Sequence, residues 1–165
     1  MQTNWWQKEV FYQIYPASFK DANDDGIGDL RGIIQMLPRL KQLGITTIWL
    51  SPIYQSPMVD NGYDISDYQA IDPRFGTMAD FDELMVATKR LGLKVILDLV
   101  INHTSDQHAW FQAAIKSPTS PYRDFYIIKR GQHGNPPNNW RSNFGKGSSW
   151  TLLPGSHDEY YHHVF

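Results

Sequence analysis

The feature that most constrains the fold is the apolar stretch Lys94 to His103, with the sequence KVILDLVINH. A continuous run of aliphatic and β-branched residues of this length predicts a strand that is buried on both faces. Such strands belong to parallel sheets covered by helices, and the functional groups of these folds lie at the carboxyl ends of the strands. Asn102 and His103 end the run, so we expect the strand to present them to a site.

Two other strands and two helices are predicted before this stretch. Val10–Tyr15, which Pro16 closes, and Thr46–Leu50 have the β-branched and aromatic residues of strands. Apolar residues at helical spacing define two buried helix faces: Leu30, Ile33, Ile34, Leu37 and Leu40 in the first, and Phe81, Leu84, Met85, Thr88 and Leu91 in the second. Pro38 predicts that the first helix is kinked or starts later than its pattern. The order β, α, β, α, β predicts a parallel α/β sheet.

Local signals mark the ends of these helices. Gly44 is expected to end the first helix, and Gly92 is expected to form the C-cap of the second. Thr77 followed by Asp80 resembles a capping box at the start of the second helix. Residues 53–76 read as one long polar loop.

The character of the chain changes after the third predicted strand. From Thr104 the sequence is rich in Pro, Gly, Asn, His and scattered aromatic residues, with no helical period. Tyr122–Ile128 and Tyr160–Phe165 are candidate strands. We therefore divide the chain into residues 1–103, an α/β region, and residues 104–165, a separate irregular subdomain inserted after the third strand.

Composition limits the classes of function. The formal net charge of −2 gives no electrostatic case for binding nucleic acid or an anionic membrane. The chain has no cysteine, and its amino terminus lacks the basic and apolar segments of a signal peptide, so we expect a cytoplasmic protein. Aromatic residues make up 14% of the chain, including six Trp, and such rings stack on sugars or on partner surfaces when they are not core.

An acidic loop is a candidate metal site. Asp21, Asn23, Asp25 and Asp29 place side-chain oxygens at alternating positions around a glycine turn, and the Ile27 carbonyl adds a fifth oxygen. Ca²⁺ takes six to eight such ligands. The loop departs from the EF-hand, because its last carboxylate is at position 9 rather than 12. The alternative is a solvated turn in which Asp29 only caps the next helix.

Two further residues carry a possible sugar-binding chemistry, and two others are candidates for a functional role. Asp60 and Tyr63 follow the second strand, and a carboxylate beside a phenol suits the recognition of sugar hydroxyls, although an Asn-Gly turn with surface acids is common. His103 follows the third strand, where a functional role and a satisfied structural histidine are equally good interpretations. Asp98 lies inside an apolar run, and a buried carboxylate must be paired, which implies an arginine partner.

Taken together, these stretches resemble the alpha-amylase family of glycoside hydrolases (family 13), and within it the oligo-1,6-glucosidase group. The resemblance covers all 165 residues. It is carried by WW at 5–6, YQIYPxSF at 12–19, DGIGDLRGI at 25–33, IWLSPIYxSP at 48–57, DNGYDISDY at 60–68, DLVINHTSDxHxWF at 98–111, YRDFYI at 122–127 and PNNWRSNFG at 137–145. Three residues depart from the pattern of the group: Lys146, Ser149 and His162, the last of which replaces a usual leucine.

The resemblance implies a fold and a set of roles. The fold would be the amino-terminal part of a (β/α)8 barrel, with its first three βα units in residues 1–103 and the start of the inserted domain B in residues 104–165. Asp21, Asn23, Asp25, Ile27 and Asp29 would hold Ca²⁺. Asp60, Tyr63 and His103 would bind the terminal glucose of a short α-glucoside, and Phe144 would shape the same pocket. Asp98 would support the site by pairing with an arginine near the nucleophile.

Catalysis is expected to need residues outside this sequence. A complete barrel has about 250 residues, and retaining hydrolysis uses two carboxyl groups about 5 Å apart. In this family the catalytic carboxylates follow strands four, five and seven, so none is expected within residues 1–165. The resemblance implies a retaining exo-acting alpha-glucosidase that is a monomer at full length and of which this chain alone is inactive.

Other functions fit the same motifs. A trehalose-6-phosphate hydrolase or a sucrose isomerase would share the scaffold. From a different class, the chain is compatible with a non-catalytic calcium- and sugar-binding fragment, with an amylase-like ectodomain of a transporter subunit, or with a truncated product that exposes a sheet edge. The intact DANDDGIGD loop favours the oligo-1,6-glucosidase group.

Overall fold

The computed structural model describes residues 3–145 and 147–163 and divides into two compact units, Met1–Ser105 and Asp106–Phe165. This boundary lies two residues beyond the one predicted after His103. The elements of the first unit are a 3-10 turn (Trp5–Lys8), β1 (Phe11–Ile14), α1 (Pro16–Phe19), α2 (Leu30–Gln42), β2 (Thr47–Leu50), β3 (Tyr54–Gln55), β4 (Asp67–Ile71), α3 (Met78–Arg90) and β5 (Lys94–Leu97).

The predicted parallel sheet is confirmed. Strand β2 lies in the centre, parallel to β1 on one side and to β5 on the other, so that Thr47 pairs with both Phe11 and Lys94. The core of this unit is aliphatic, since side chains of the sheet, of α2 and of α3 pack into one cluster that excludes water; its fully buried members are Ile14, Leu30, Ile33, Leu37, Ile48, Leu50, Ile53 and Leu84.

Helix ends follow local chemistry. Asp29 caps α2, because its Oδ1 accepts the Gly32 N–H at 2.6 Å. The helix therefore begins at Leu30 and runs as one element through Pro38, so the predicted later start is wrong. Gly44 ends it with a φ of +87°, a left-handed conformation that glycine adopts without strain. The capping box of Thr77 and Asp80 at the start of α3 is also confirmed.

The third strand is shorter and more exposed than predicted. Strand β5 ends at Leu97, and within the described residues it pairs on one side only, with β2. Leu99 and Ile101 follow the strand with side chains that are 78% and 77% exposed. The prediction of burial on both faces is therefore wrong for this chain, because burial of an edge strand depends on a neighbour that the apolar pattern does not specify.

Two other predictions for the first unit are corrected. The supposed loop at residues 53–76 contains the antiparallel pair of β3 and β4. Periodicity did not predict this pair, because β3 has only two residues and the pairing contains a register shift. On α3, Met85 is 40% exposed and Ala87 is buried instead. The first strand is also shorter than Val10–Tyr15, since Pro16 opens the short helix α1.

The second unit is aromatic and has short elements. They are α4 (Ala109–Lys116), a 3-10 turn (Arg123–Phe125), β6 (Ile128–Arg130), β7 (Trp150–Leu152) and β8 (Glu159–His162). The strands form an antiparallel sheet with β8 in the centre.

Sequence reading was least accurate in this unit. It missed α4, whose N-cap His108 accepts the Trp110 N–H at 3.1 Å. The strand predicted at Tyr122–Ile128 is wrong except for its last residue, since Arg123–Phe125 form a 3-10 turn and Ile128 begins β6. The strand predicted at Tyr160–Phe165 corresponds to β8, and its last two residues, like the departure at Lys146, lie outside the described residues. Across the described part of both units, the helices are all too short or too polar to cross a membrane.

Candidate functional site

The candidate site of the first unit is organised around the carboxylate of Asp98, directly after β5. Its Oδ1 accepts the indole N–H of Trp49 at 2.7 Å, and its Oδ2 accepts the hydroxyl of Tyr63 at 2.8 Å. Asp98 is half-buried, so two neutral donors satisfy both oxygens without a cation. The arginine predicted as its partner is not among the described residues that contact it.

Sequence reasoning missed Trp49, although the sheet register identifies it. Trp49 pairs with Ile96 across the parallel β2–β5 ladder. Alternate residues of a strand lie on the same face, so Asp98 continues the face of Ile96 just beyond the end of the strand. The indole of Trp49 therefore lies next to Asp98, which is two residues beyond Ile96. The sequences of the two strands do not predict this contact unless their register is also known.

Tyr63 acts as a donor over the whole physiological range. Burial, reinforced by its hydrogen bond to the negatively charged Asp98, raises the pKa of the Tyr63 phenol to about 12. The backbone carbonyl of Tyr63 in turn contacts His103 Nε2 at 3.1 Å. The phenol and the carbonyl of one residue thus connect the loop after β2 to both Asp98 and His103.

The position of His103 is defined by both ring nitrogens. A carbonyl only accepts, so His103 Nε2 carries a hydrogen towards Tyr63 O, and Nδ1 then accepts from the Asn102 side-chain amide at 3.1 Å. The Tyr68 hydroxyl contacts the carbonyls of Val100 and His103 at 2.7 and 2.9 Å, which fixes the turn after β5. Tyr68 is a second contributor that sequence reasoning did not identify.

Asp60 differs from its neighbours because its carboxylate has no hydrogen bond or ion pair within the described residues. The loop that carries it is ordered by Asp64, whose Oδ1 accepts the Asp60 N–H at 3.0 Å and whose Oδ2 accepts the Val59 N–H at 2.9 Å. Left-handed φ values at Asn61 (+53°) and Gly62 (+95°) turn the chain at this point. A half-buried, unpaired carboxylate on an ordered loop is suited to accept hydrogen bonds from a ligand.

Phe144, the fourth predicted sugar contact, belongs to the second unit, where it is 80% exposed. Asp60, Tyr63 and His103 belong to the first unit, and two of them are joined directly by the contact described above. The shared pocket of all four residues stays a prediction.

The acidic loop folds back on its own backbone. Asp21 accepts N–H groups from Asn23, Asp24 and Gly26 at 2.9, 2.8 and 2.7 Å, and these bonds, that from Gly26 above all, lower the pKa of its carboxyl. The loop also bends through a left-handed Asp24, at a φ of +63°.

The other predicted ligands of the loop also form hydrogen bonds. Asn23 Nδ2 donates to Asp25 Oδ2 at 3.0 Å, and the other Asp25 oxygen accepts the Ile27 N–H at 2.8 Å. Asp29 is buried, with one oxygen on Gly32 N–H and the other on Ala22 N–H. Within residues 3–145 and 147–163, no three acidic or histidine side chains come together as a metal-binding group. The donors are nevertheless hard oxygens, as Ca²⁺ prefers, so the residue types fit the ion.

Comparison with known proteins identifies the family. Residues 13–165 match the model of the alpha amylase catalytic domain. The chain is 56% identical over 165 residues to an oligo-1,6-glucosidase of Halalkalibacterium halodurans, covering 100% of this chain and 29% of that protein. It is also 56% identical over 162 residues to a trehalose-6-phosphate hydrolase of Escherichia coli, covering 98% of this chain and 29% of the other.

Solved structures agree with this assignment. The isomaltulose synthase of Klebsiella sp. LX3 superimposes with a TM-score of 0.95 at 52% identity, over 100% of this chain and 29% of that one. The chain thus spans 29% of the length of the relatives it matches. With the parallel sheet, the Asp98 network and the matched residues all in agreement, the chain belongs to the alpha-amylase family, as part of its catalytic domain.

Proposed function

We propose that this chain supplies part of the glucose pocket of a retaining exo-acting alpha-glucosidase that releases glucose from short α-1,6-linked glucosides. The observation that carries the proposal is the network at the end of β5, where Asp98 holds Tyr63 and Trp49 while the carboxylate of Asp60 stays unpaired. This arrangement supplies an acceptor for sugar hydroxyls, the Asp60 carboxylate, and two aromatic side chains that hydrogen bonds to Asp98 hold in place. These are the groups that suit the binding of a terminal glucose.

The roles of the individual residues follow from their partners. Each oxygen of Asp98 accepts a hydrogen bond, so we assign Asp98 the role of positioning Tyr63 and Trp49. Asp60 would accept hydrogen bonds from glucose hydroxyls, and His103 would contribute a polar edge to the same glucose. The nucleophile and the acid–base carboxyl would come from residues beyond Phe165, so the isolated chain is expected to leave an aryl α-glucoside unhydrolysed.

Binding of methyl α-glucoside to the chain tests the proposal. The indole N–H of Trp49 is a built-in reporter, and its cross-peak in a ¹H–¹⁵N spectrum is expected to shift on titration. Asp60→Asn should weaken this binding about tenfold or more, because the amide is uncharged and replaces one of the two accepting oxygens by a donor. Asp82→Asn is the matched control, since Asp82 is exposed on α3. No saturable change at Trp49, or equal losses in both variants, would refute the pocket.

A trehalose-6-phosphate hydrolase is the second candidate, because the relative of that name is as similar to the chain, at 56%, as the oligo-1,6-glucosidase. A sucrose isomerase is supported by the superposition on isomaltulose synthase. Competition among isomaltose, trehalose 6-phosphate and sucrose for the Trp49 signal separates the three. The first proposal expects isomaltose to bind tightest. The cytoplasmic location and the monomeric state of a full-length protein stay predictions.

We further propose that the loop Asp21–Asp29 binds Ca²⁺ through Asp21, Asn23, Asp25, the Ile27 carbonyl and Asp29. The ion would relieve the repulsion among the three ligand carboxylates, which lie in a nine-residue stretch that holds four aspartates. Isothermal titration with CaCl₂ and thermal unfolding with and without Ca²⁺ test this directly. Asp25→Asn should reduce Ca²⁺ binding, whereas Asp82→Asn should not; an unfolding temperature that is independent of Ca²⁺ would argue for the solvated-turn alternative.

A further inference from the structure

An exposed tryptophan of the second unit lies on a buried one. Trp140 is 55% exposed and Trp150 is 6% exposed, and their rings stack with centroids 6.0 Å apart at an interplanar angle of 23°. His162 approaches both rings edge-on, at 5.6 and 5.1 Å. Because Trp150 covers one face of the Trp140 ring, the exposed area of Trp140 lies mainly on the opposite face. We call this arrangement of Asn138, Trp140, Trp150 and His162 the Trp140 platform.

The Trp140 platform is held in place before any ligand arrives. Asn138 Oδ1 accepts both the backbone N–H of Trp140 at 3.0 Å and the indole N–H of Trp150 at 2.8 Å. The carbonyl of Trp140 accepts the Ser149 N–H at 3.0 Å, which ties the two sides of the loop together. A ring that is already ordered loses little conformational entropy on binding, so its contact area contributes to affinity at low cost.

The surroundings of the ring are polar. Asn139 and Arg141 flank Trp140 in the chain, and both are exposed. Within the described residues, neither of their side chains, nor the indole N–H of Trp140, makes a hydrogen bond. A flat apolar face bordered by an amide, a guanidinium and an indole donor matches a pyranose ring, which has an apolar C–H face and a rim of hydroxyls.

This composition fits a sugar ligand. The exposed ring is bordered in sequence by an exposed arginine and an exposed asparagine, whose N–H groups can donate to sugar hydroxyls. We propose that the Trp140 platform stacks on a glucosyl unit of an α-glucan oligosaccharide, as a second sugar-binding surface formed by residues other than Asp60, Tyr63 and His103. The proposal rests on the proposed function for its ligand class, and it assigns Trp140 as a specificity residue for longer substrates.

Titration of the chain with isomaltotriose tests the platform. The six Trp residues give separate indole N–H reporters in a ¹H–¹⁵N spectrum, and Trp140→Phe identifies the Trp140 cross-peak by its loss. Isomaltotriose is expected to shift the Trp140 and Trp150 cross-peaks saturably and to leave that of Trp6 in place. Trp140→Ala should weaken the binding seen at Trp150 about tenfold, and Trp140→Phe less, because it keeps an aromatic face.

The controls make each outcome decisive. Trp6→Ala removes a comparably exposed indole (52%) from the first unit and should leave isomaltotriose binding unchanged. The remaining indole cross-peaks show whether each variant is folded. A Trp140 cross-peak that does not move up to the solubility of the sugar, or that moves equally with sorbitol, overturns the platform. A shift that depends on protein concentration and not on sugar also overturns it, since a second copy of the chain would then be the occupant.

The same spectra separate this inference from the proposed function. Trp49 reports on the Asp98 network, and Trp140 reports on the platform. A shift at Trp49 alone keeps the proposed glucose pocket and overturns the platform. A shift at Trp140 alone supports the platform and counts against the pocket, and saturable shifts at both support the two proposals together.

Discussion

The two units of this chain are stabilised in different ways. In the first, aliphatic side chains from a parallel sheet and two helices form the core, and the polar groups near the strand ends are joined by hydrogen bonds to carboxylates. In the second, the strands have three or four residues, and aromatic rings supply most of the packing around Phe111, Trp150 and Tyr161.

The difference explains where polar chemistry is concentrated. Two helices of 13 residues pack on the sheet of the first unit and bury enough aliphatic area to hold a half-buried carboxylate such as Asp98 in one geometry. The α-helix of the second unit has only eight residues, so large rings fill its interior, and some of them, such as Trp140, remain at the surface. The first unit therefore presents directional hydrogen-bonding groups, and the second presents flat apolar faces.

The largest expected effect is the loss of the buried ring of the second unit. Trp150→Ala should lower the free energy of unfolding by about 3–5 kcal/mol, because it leaves a cavity beneath Trp140 and removes the bond to Asn138. Chemical denaturation followed by near-UV circular dichroism measures the change. Trp110→Ala, which truncates a ring that is 42% exposed, is the control and should cost much less.

A core truncation in the first unit should have a similar or smaller cost. Leu84→Ala on α3 removes a fully buried side chain and should destabilise the chain by about 2–5 kcal/mol. Val86→Ala, on the same helix but 69% exposed, should change stability by less than about 0.5 kcal/mol. If both substitutions cost the same, the aliphatic cluster would not be the source of stability that the burial indicates.

A smaller effect is expected at the start of α2. Asp29→Ala should cost about 1 kcal/mol, because the Gly32 N–H loses its acceptor. Asp29→Asn keeps an acceptor of the same shape and should recover most of that loss in the absence of Ca²⁺. Recovery of stability by Asn, together with loss of any Ca²⁺ response, would separate the capping role of Asp29 from its proposed role as a ligand.

Acid should lower the stability of the two units in different pH ranges, and we expect these changes to be smaller than those of the three substitutions above. Burial, with a further contribution from His163, lowers the pKa of His162 below its ordinary 6.5. The unfolded chain then binds a proton first, so stability falls as the pH drops below about 6.5 and stops falling below the folded-state pKa. His162→Leu should remove that loss when denaturation midpoints are compared across pH.

The carboxyl of Glu9, in the first unit, affects stability in a lower pH range. Its hydrogen bond with Lys94, helped by Thr46 and Thr47, lowers the pKa of the Glu9 carboxyl from 4.5 to about 2. A lowered carboxyl pKa contributes stability above about pH 4.5, and that contribution is lost as the pH falls towards 2. Glu9→Gln should flatten the pH dependence in this lower window only. A variant that changed the window of His162 instead would contradict the assignment.

Sequence reasoning about the site succeeded in part. It singled out Tyr63, Asp98 and His103, and the structure joins Tyr63 to both of the others. It expected an arginine near the nucleophile as the partner of Asp98, and that pairing stays a prediction, while within the described residues Trp49 and Tyr63 donate to Asp98. Trp49, Tyr68 and the stacked pair of Trp140 and Trp150 were not identified, because each acquires its role from residues that are distant in sequence or differently exposed.

The sequence by itself determined the features whose causes are local. The capping box of Thr77 and Asp80, the glycine that ends α2 and the alternation of β1, α2, β2, α3 and β5 depend on neighbouring residues or on a short periodicity. Tertiary structure decided the partners of Asp98, which lie 49 and 35 residues away, and the exposure of Leu99 and Ile101. Register and burial depend on which elements become neighbours in space, and no local pattern in the chain specifies that.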